Sequence, residues 1–132
     1  MRAAADTAAD DLLARCNDAL AKDPNNILAN LISATVYDDP SGNKADKAKA
    51  IAGYNKVLSS DPQNADVLVL RGSALMSTGD TKGAIADFTE AIRLDPKNDT
   101  ALMLRGALYS TEGDSEKAIA DYTHAIQLAP RE

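Results

Sequence analysis

Apolar residues recur along this chain at the spacing of an α-helix rather than that of a β-strand. One such set falls at i, i+1, i+4, i+7 and i+8 and comprises Ala84, Ile85, Phe88, Ala91 and Ile92. On a helix these positions form a single apolar face. Val and Ile are scattered singly, so the sequence offers no strand-like run of β-branched residues. The pattern therefore predicts an all-α fold.

The same pattern returns at a fixed distance along the chain. The prolines of Asp61-Pro62, Asp95-Pro96 and Ala129-Pro130 are 34 residues apart. When residues 65–98 are laid over 99–132, the segments Arg-Gly, Gly-Asp, Ala-Ile-Ala-Asp and Ala-Ile coincide. Identity of this kind at one offset indicates an internal repeat, which is typical of stacked repeat architectures.

Each repeat is predicted to form two helices joined by a short turn. In the repeat that begins near Asn64, the first helix extends to about Ser77. Gly79 is placed to supply a left-handed C-cap, and Asp80 the N-cap of the second helix. The second helix is predicted to end near Leu94, because the residue before a proline avoids the α region.

The N-terminal part of the chain follows the same pattern, but its repeat is longer than the later ones. Pro24 lies 38 residues before Pro62, and the extra residues fall in the turn-rich stretch 38–43. Residues 3–22 reproduce the apolar face of a second helix alone. The sequence thus predicts one domain over 1–132, with an N-terminal helix at 3–22 and hairpins at 25–60, 64–95 and 98–129.

The repeat resembles the tetratricopeptide repeat. In one unit the positions typical of that family hold Gly72, Ala84, Phe88, Ala91 and Pro96. In the next unit they hold Gly106, Tyr109, Ala118, Tyr122, Ala125 and Pro130. The resemblance, which is closest to bacterial members, covers nearly the whole chain. It implies a right-handed superhelical stack of antiparallel hairpins, here three hairpins plus an N-terminal capping helix.

Arginine replaces the leucine that this family carries before the repeat glycine. Arg71 lies sixteen residues before Asp87, and Arg105 lies sixteen residues before Asp121. In the longer N-terminal repeat the corresponding positions hold a serine and a glycine, so both members of the pair are missing together. This co-occurrence predicts structural ion pairs that join the two helices of each hairpin.

The resemblance also implies a concave groove that is lined by the first helix of each hairpin. Such a surface is expected to bind an extended or helical segment of another protein through apolar anchors. The alternative is that these apolar side chains pack between hairpins. The positions that map to the groove are Leu28, Leu31, Thr35, Asp66, Val69, Leu70, Ser73, Met76, Thr100, Met103, Leu104 and Ala107.

Some members of the family hold the C-terminal carboxylate of heat-shock chaperones with Lys, Asn and Arg in this groove. None of the matching side chains here can hold a carboxylate, which argues against chaperone tails as partners. The matching positions are Leu31, Thr35, Leu70, Thr100 and Leu104.

The outer face of the final helix suggests a second function. Repeat stacks need polar caps at their ends, yet Tyr122, Ile126 and Leu128 are predicted to lie on a face that no later helix in this sequence covers. Either the chain belongs to a longer protein, or this face meets a partner or a second copy. Self-association into a homodimer is therefore the alternative to binding in the groove.

Charge and composition exclude several other classes of partner. The formal net charge of −6 argues against nucleic acid and against an anionic membrane surface. No apolar run approaches the roughly 20 residues of a membrane span. The N-terminus has no signal-peptide core, so the compartment stays open: cytoplasmic, or periplasmic if a signal was removed.

The sequence offers no constellation of catalytic residues. His124 is the only histidine, and no Ser or Cys is placed for it to activate. Cys16 lies on the apolar face of the first helix and is expected to be a small core residue. No metal or phosphate motif is present. The chain is therefore predicted to be a binding protein without cofactors, and not an enzyme.

Overall fold

The computed structural model describes residues 4–40 and 43–129, with side chains from residue 8 onward. Ala3, Ser41, Gly42 and Pro130, which enter the predictions above, lie outside these residues. Over the described ranges the chain forms seven α-helices and no β-strand, so the predicted all-α fold is confirmed. The helices are α1 (Ala4–Lys22), α2 (Ile27–Tyr37), α3 (Lys44–Ser60), α4 (Ala65–Ser77), α5 (Thr81–Leu94), α6 (Asp99–Thr111) and α7 (Ser115–Leu128).

The chain divides into two compact units, Met1–Pro62 and Gln63–Glu132. In the first unit α2 and α3 form a hairpin, and α1 packs against α2. In the second unit α4–α5 and α6–α7 form hairpins, α5 packs against α6, and α4 touches α6. Three hairpins and one additional helix thus match the architecture predicted from the repeat.

Asparagine side chains begin the first helix of every hairpin. An asparagine lies two residues after each Asp-Pro pair, at Asn26, Asn64 and Asn98. Each side-chain oxygen accepts a hydrogen bond from the backbone N–H three residues later, at 3.0–3.1 Å. Such N-caps satisfy a donor that the helix leaves unpaired, typically worth about 1 kcal/mol.

The turns inside the second unit's hairpins need glycine. Gly79 and Gly113 have φ angles of +89° and +85°, in the left-handed region that other residues rarely adopt. After Gly79, the Asp80 N–H donates to the Leu75 carbonyl at 2.9 Å, which closes a Schellman motif. The Asp80 carboxylate then accepts from the Gly83 N–H and caps α5. Each turn therefore ends one helix and begins the next within three residues.

A glycine–aromatic contact sets the distance between α4 and α5. A Cβ added at Gly72 would lie 2.7 Å from Phe88 Cε1, so only glycine fits beneath this ring. Phe88 is fully buried, as are Ala84 and Ala91 on the same face of α5. Small residues thus bring the two helices close enough to enclose a large aromatic side chain.

The first hairpin closes without an arginine–aspartate pair. Gly53 replaces the aspartate of the later repeats, and a Cβ there would lie only 2.7 Å from Ala34 Cβ. The backbones of α2 and α3 therefore approach closely where the other hairpins insert a salt bridge. Asp38, just after α2, accepts from Lys47 at 2.6 Å and from the Tyr54 hydroxyl at 2.9 Å. This group joins the two helices instead.

We expect Tyr54→Phe to lower the free energy of unfolding by about 1 kcal/mol, because the change removes the hydrogen bond to Asp38. Burial, and then the bond to Asp38, raise the pKa of Tyr54. In the unfolded chain the pKa of tyrosine is about 10. Because the pKa of Tyr54 is higher in the folded state, its contribution to the free energy of unfolding is present below about pH 10 and is lost as the pH rises further. In urea titrations, the difference between wild type and Tyr54→Phe should therefore shrink above about pH 10. A constant difference up to pH 12 would contradict this role.

Candidate protein-interaction surface

A cavity lies between the start of α4 and the start of α6, on the face that the repeat pattern assigns to the groove. Its volume is about 280 Å³, and its walls are Asp66, Val69, Leu70, Asn98 and Thr100. All of these except Asn98 were predicted as groove residues. The structure thus brings four predicted positions from two hairpins of the second unit to one site.

The other groove residues of the second unit flank this cavity along the same two helices. Met103 on α6 is 54% exposed. Ser73, Met76, Leu104 and Ala107 are half-buried. Half-burial alone does not identify a binding surface, because Ile85 and Ile92, which pack beneath α6, are half-buried as well. Met103 is the residue of this set that is clearly exposed.

The groove residues of the first unit lie on α2. Leu28 is 65% exposed, Leu31 is half-buried and Thr35 is exposed. The Thr35 hydroxyl donates to the Ile32 carbonyl at 2.8 Å, so its hydrogen is used within the helix. Leu28 also lines a second, mostly apolar cavity of about 200 Å³ between α1 and α2, next to the buried Cys16.

The two arginine–aspartate pairs are formed with nearly identical geometry. Arg71 Nε and Nη2 donate to the two Asp87 carboxylate oxygens at 2.8 and 2.7 Å. Arg105 makes the same contacts with Asp121 at 2.8 and 2.7 Å. The hydrogen bonds to these carboxylates raise the pKa of both arginines. Each pair joins the two helices of one hairpin.

Arg105 also connects two hairpins. Its Nη1 donates to the Thr89 hydroxyl at 3.2 Å, which links α6 to α5. Thr123 on α7 occupies the position of Thr89 one repeat later. Within the second unit α7 packs against α6 alone, so this position meets no corresponding arginine there.

The outer face of α7 is exposed where the same face of α5 is covered. Ile119 and Ile126 are 64% and 72% exposed, whereas Ile85 and Ile92, one repeat earlier, are half-buried beneath α6. Tyr122 is 37% exposed, because one side of its ring packs on Gly106. Leu128 is half-buried. Ile119, which was not predicted for this face, is among its most exposed apolar residues.

Neither a membrane-spanning helix nor a group of metal ligands is found in the described part of the chain. Among residues 4–40 and 43–129, no helix has the length and apolar character needed to cross a membrane. Within the same ranges no three His, Cys, Asp or Glu side chains are placed to hold a metal ion. His124 is exposed on α7.

Two family models match the repeats described above. One, described as "TPR repeat", matches residues 72–113, and the other, "Tetratricopeptide repeat", matches residues 99–132. Together they extend from the glycine of the second hairpin to the end of the sequence. This part of the chain therefore matches the tetratricopeptide-repeat family.

Solved structures share this fold. A crystal structure of MamA superposes with a TM-score of 0.81 at 26% identity, over 89% of this chain and 67% of that one. MamA from Desulfovibrio magneticus RS-1 superposes with a TM-score of 0.79 at 19% identity, over 88% of this chain and 63% of that one. The second TPR of Spaghetti (RPAP3), bound to the HSP90 peptide SRMEEVD, superposes with a TM-score of 0.71 at 21% identity. The match covers 83% of this chain and 98% of that one. The chain thus spans about two-thirds of the MamA structures. No curated protein sequence matches it.

Proposed function

We propose that this protein is an interaction scaffold rather than an enzyme, and that it binds a segment of another protein in the groove. The observation that carries the proposal is the cavity between α4 and α6. Four side chains that the repeat register assigns to the groove line it. Repeat proteins bind partners on surfaces of this kind, which successive repeats extend.

The pattern of substitution between repeats supports the same assignment. Positions that hold the hairpins together are identical or closely similar after 34 residues, such as Gly72 and Gly106. Several groove positions differ: Asp66 is followed by Thr100, and Val69 by Met103, whereas Leu70 and Leu104 are the same. A framework requires the same residue in each repeat, whereas a ligand that lies across several repeats presents different groups to each.

The partner we propose differs from the peptide in the Spaghetti (RPAP3) complex. The printed peptide SRMEEVD ends in three acidic residues among its last four. In this chain the matching groove positions carry no cation, and the cavity contains the carboxylate of Asp66. Since like charges that are brought together weaken binding, we expect no acidic tail to bind here.

Selection of peptides from a random display library on the full chain tests the proposal. We expect peptides with apolar anchors whose affinity falls at least about tenfold in Met103→Lys, since a cation would then sit on an exposed apolar contact. Ile126→Lys, a matched change on α7, should leave the affinity unchanged. Circular dichroism establishes that both variants are folded. Peptides that bind both variants equally well would rule out the groove.

Self-association through α7 is the second candidate, favoured by the exposure of Ile119 and Ile126 on one face. Two copies that meet on this face could bury both isoleucines about a twofold axis. Light scattering after size exclusion measures this directly. A dimer that Ile126→Lys abolishes and Met103→Lys preserves would establish it. A mass of 13.9 kDa at every concentration would refute it.

A further inference from the structure

We infer that the cavity between α4 and α6 is a subsite for a lysine or arginine side chain of the bound segment. This inference rests on the proposed groove function and specifies the chemistry of the partner. It follows from three properties of the cavity: its size, the character of its walls and the one charge that it contains.

The size of the cavity fits a single side chain. Sites for small molecules usually occupy about 300–1,000 Å³, and this cavity, at about 280 Å³, falls just below that range. Val69 and Leu70 form its apolar wall. A long aliphatic stem can lie along such a wall while its charged end stays near water, as lysine and arginine side chains do.

Asp66 provides the charge that such a side chain would meet. Its side chain is exposed, and none of the hydrogen bonds or ion pairs found among the described residues involves it. The arginines of the same two helices do not neutralise it, because Arg71 and Arg105 are bound in bidentate fashion by Asp87 and Asp121. The five residues that line the cavity therefore include one acceptor for a cation, Asp66, and no cationic side chain.

The start of α6 does not turn the cavity into an anion site. A free helix N-terminus attracts anions through its unpaired N–H groups. Here the Asn98 side chain already accepts from the Ala101 N–H at 3.0 Å. Asp99 adds a negative charge in the first turn. Together with Asp66, these groups favour a positive ligand, and the net charge of −6 attracts basic segments over longer distances.

Asp66 is not required by the repeat framework. At the corresponding position the other two hairpins carry Leu28 and Thr100. Both of their helices begin with an asparagine N-cap, as α4 does. A residue that changes from leucine to aspartate to threonine is not one that the hairpin needs for folding, which fits a role in partner choice.

The test repeats the peptide selection on wild type, Asp66→Asn and Asp99→Asn. Asp99 is the matched control, since it lies in the first turn of α6 but does not line the cavity. We expect lysine and arginine to be enriched at one position of the peptides selected by wild type and by Asp99→Asn. Asp66→Asn should lose this enrichment. For one such peptide, lysine→norleucine should weaken binding to wild type roughly tenfold and leave binding to Asp66→Asn unchanged.

The outcomes separate this inference from the proposed function. Peptides that depend on Met103 but show no basic enrichment would overturn the subsite and leave groove binding in place. An equal loss in both aspartate variants would overturn it too, because the effect would then arise from overall charge. If no selected peptide depends on Met103, the groove function fails and the subsite fails with it.

Discussion

Phe88→Ala should lower the free energy of unfolding by about 3–5 kcal/mol, the range seen when a large buried aromatic is removed. Phe88 is fully buried, and its ring lies directly over Gly72. Because Gly72 has no side chain, nothing on that side can move in to fill the space. Urea unfolding followed by circular dichroism measures the change.

Tyr122→Ala is the matched control for this substitution. Tyr122 occupies the same position one repeat later and packs on Gly106, but it is 37% exposed because no helix of the second unit covers α7. Its removal takes less apolar area out of the folded core and leaves a surface depression rather than a cavity. We therefore expect the loss to be less than half of that for Phe88→Ala. Equal losses would mean that α7 is covered in solution.

Asp87→Ala should lower the free energy of unfolding by about 2–3 kcal/mol, since it leaves the Arg71 guanidinium without its two charged hydrogen bonds. The Asp87 side chain is 8% exposed. The Arg71 side chain is 26% exposed, and solvent can replace part of the lost contact, so the effect should be below that of a fully buried pair. Chemical unfolding at pH 7 gives the value.

Glu90→Ala on the same helix controls for the loss of an acidic residue from α5. Glu90 pairs with Arg93 three residues later, with the two side chains 41% and 63% exposed. Exposed pairs of this kind contribute little to stability, so we expect no measurable change. If Asp87→Ala and Glu90→Ala had the same effect, the inter-helix pair would not contribute to stability.

The sequence was most informative where local chemistry repeats. Gly79 and Asp80 mark the turn between α4 and α5 because each has a backbone role that few residues can perform. The sixteen-residue spacing of arginine and aspartate was recognisable because it occurs in two repeats, and because both residues are replaced together in the first hairpin. The start of each first helix had an equally clear signal, the asparagine two residues after each Asp-Pro, which was overlooked.

The contacts that join the helices of the first hairpin were harder to predict, because they occur only once in the chain. Asp38 belongs to the stretch with the extra residues, and Lys47 and Tyr54 lie on α3. No spacing in the other repeats links these three side chains, so only the folded structure reveals their contacts. Four of the five residues that line the cavity are positions that the repeat register assigns to the predicted groove. Asn98 was not among them, because its role as an N-cap gives no sign of its position beside the cavity.

If the proposed segment binds in the cavity, it would tie the hairpin α4–α5 to the hairpin α6–α7. Asp66 belongs to the hairpin α4–α5, while Asn98 and Thr100 belong to α6–α7. A segment bound there must leave before α6 and α7 can separate from α4 and α5. At a concentration one hundred times its dissociation constant, it would oppose that separation by about 2.7 kcal/mol. Partner binding would thus protect the last hairpin from local opening and from proteases.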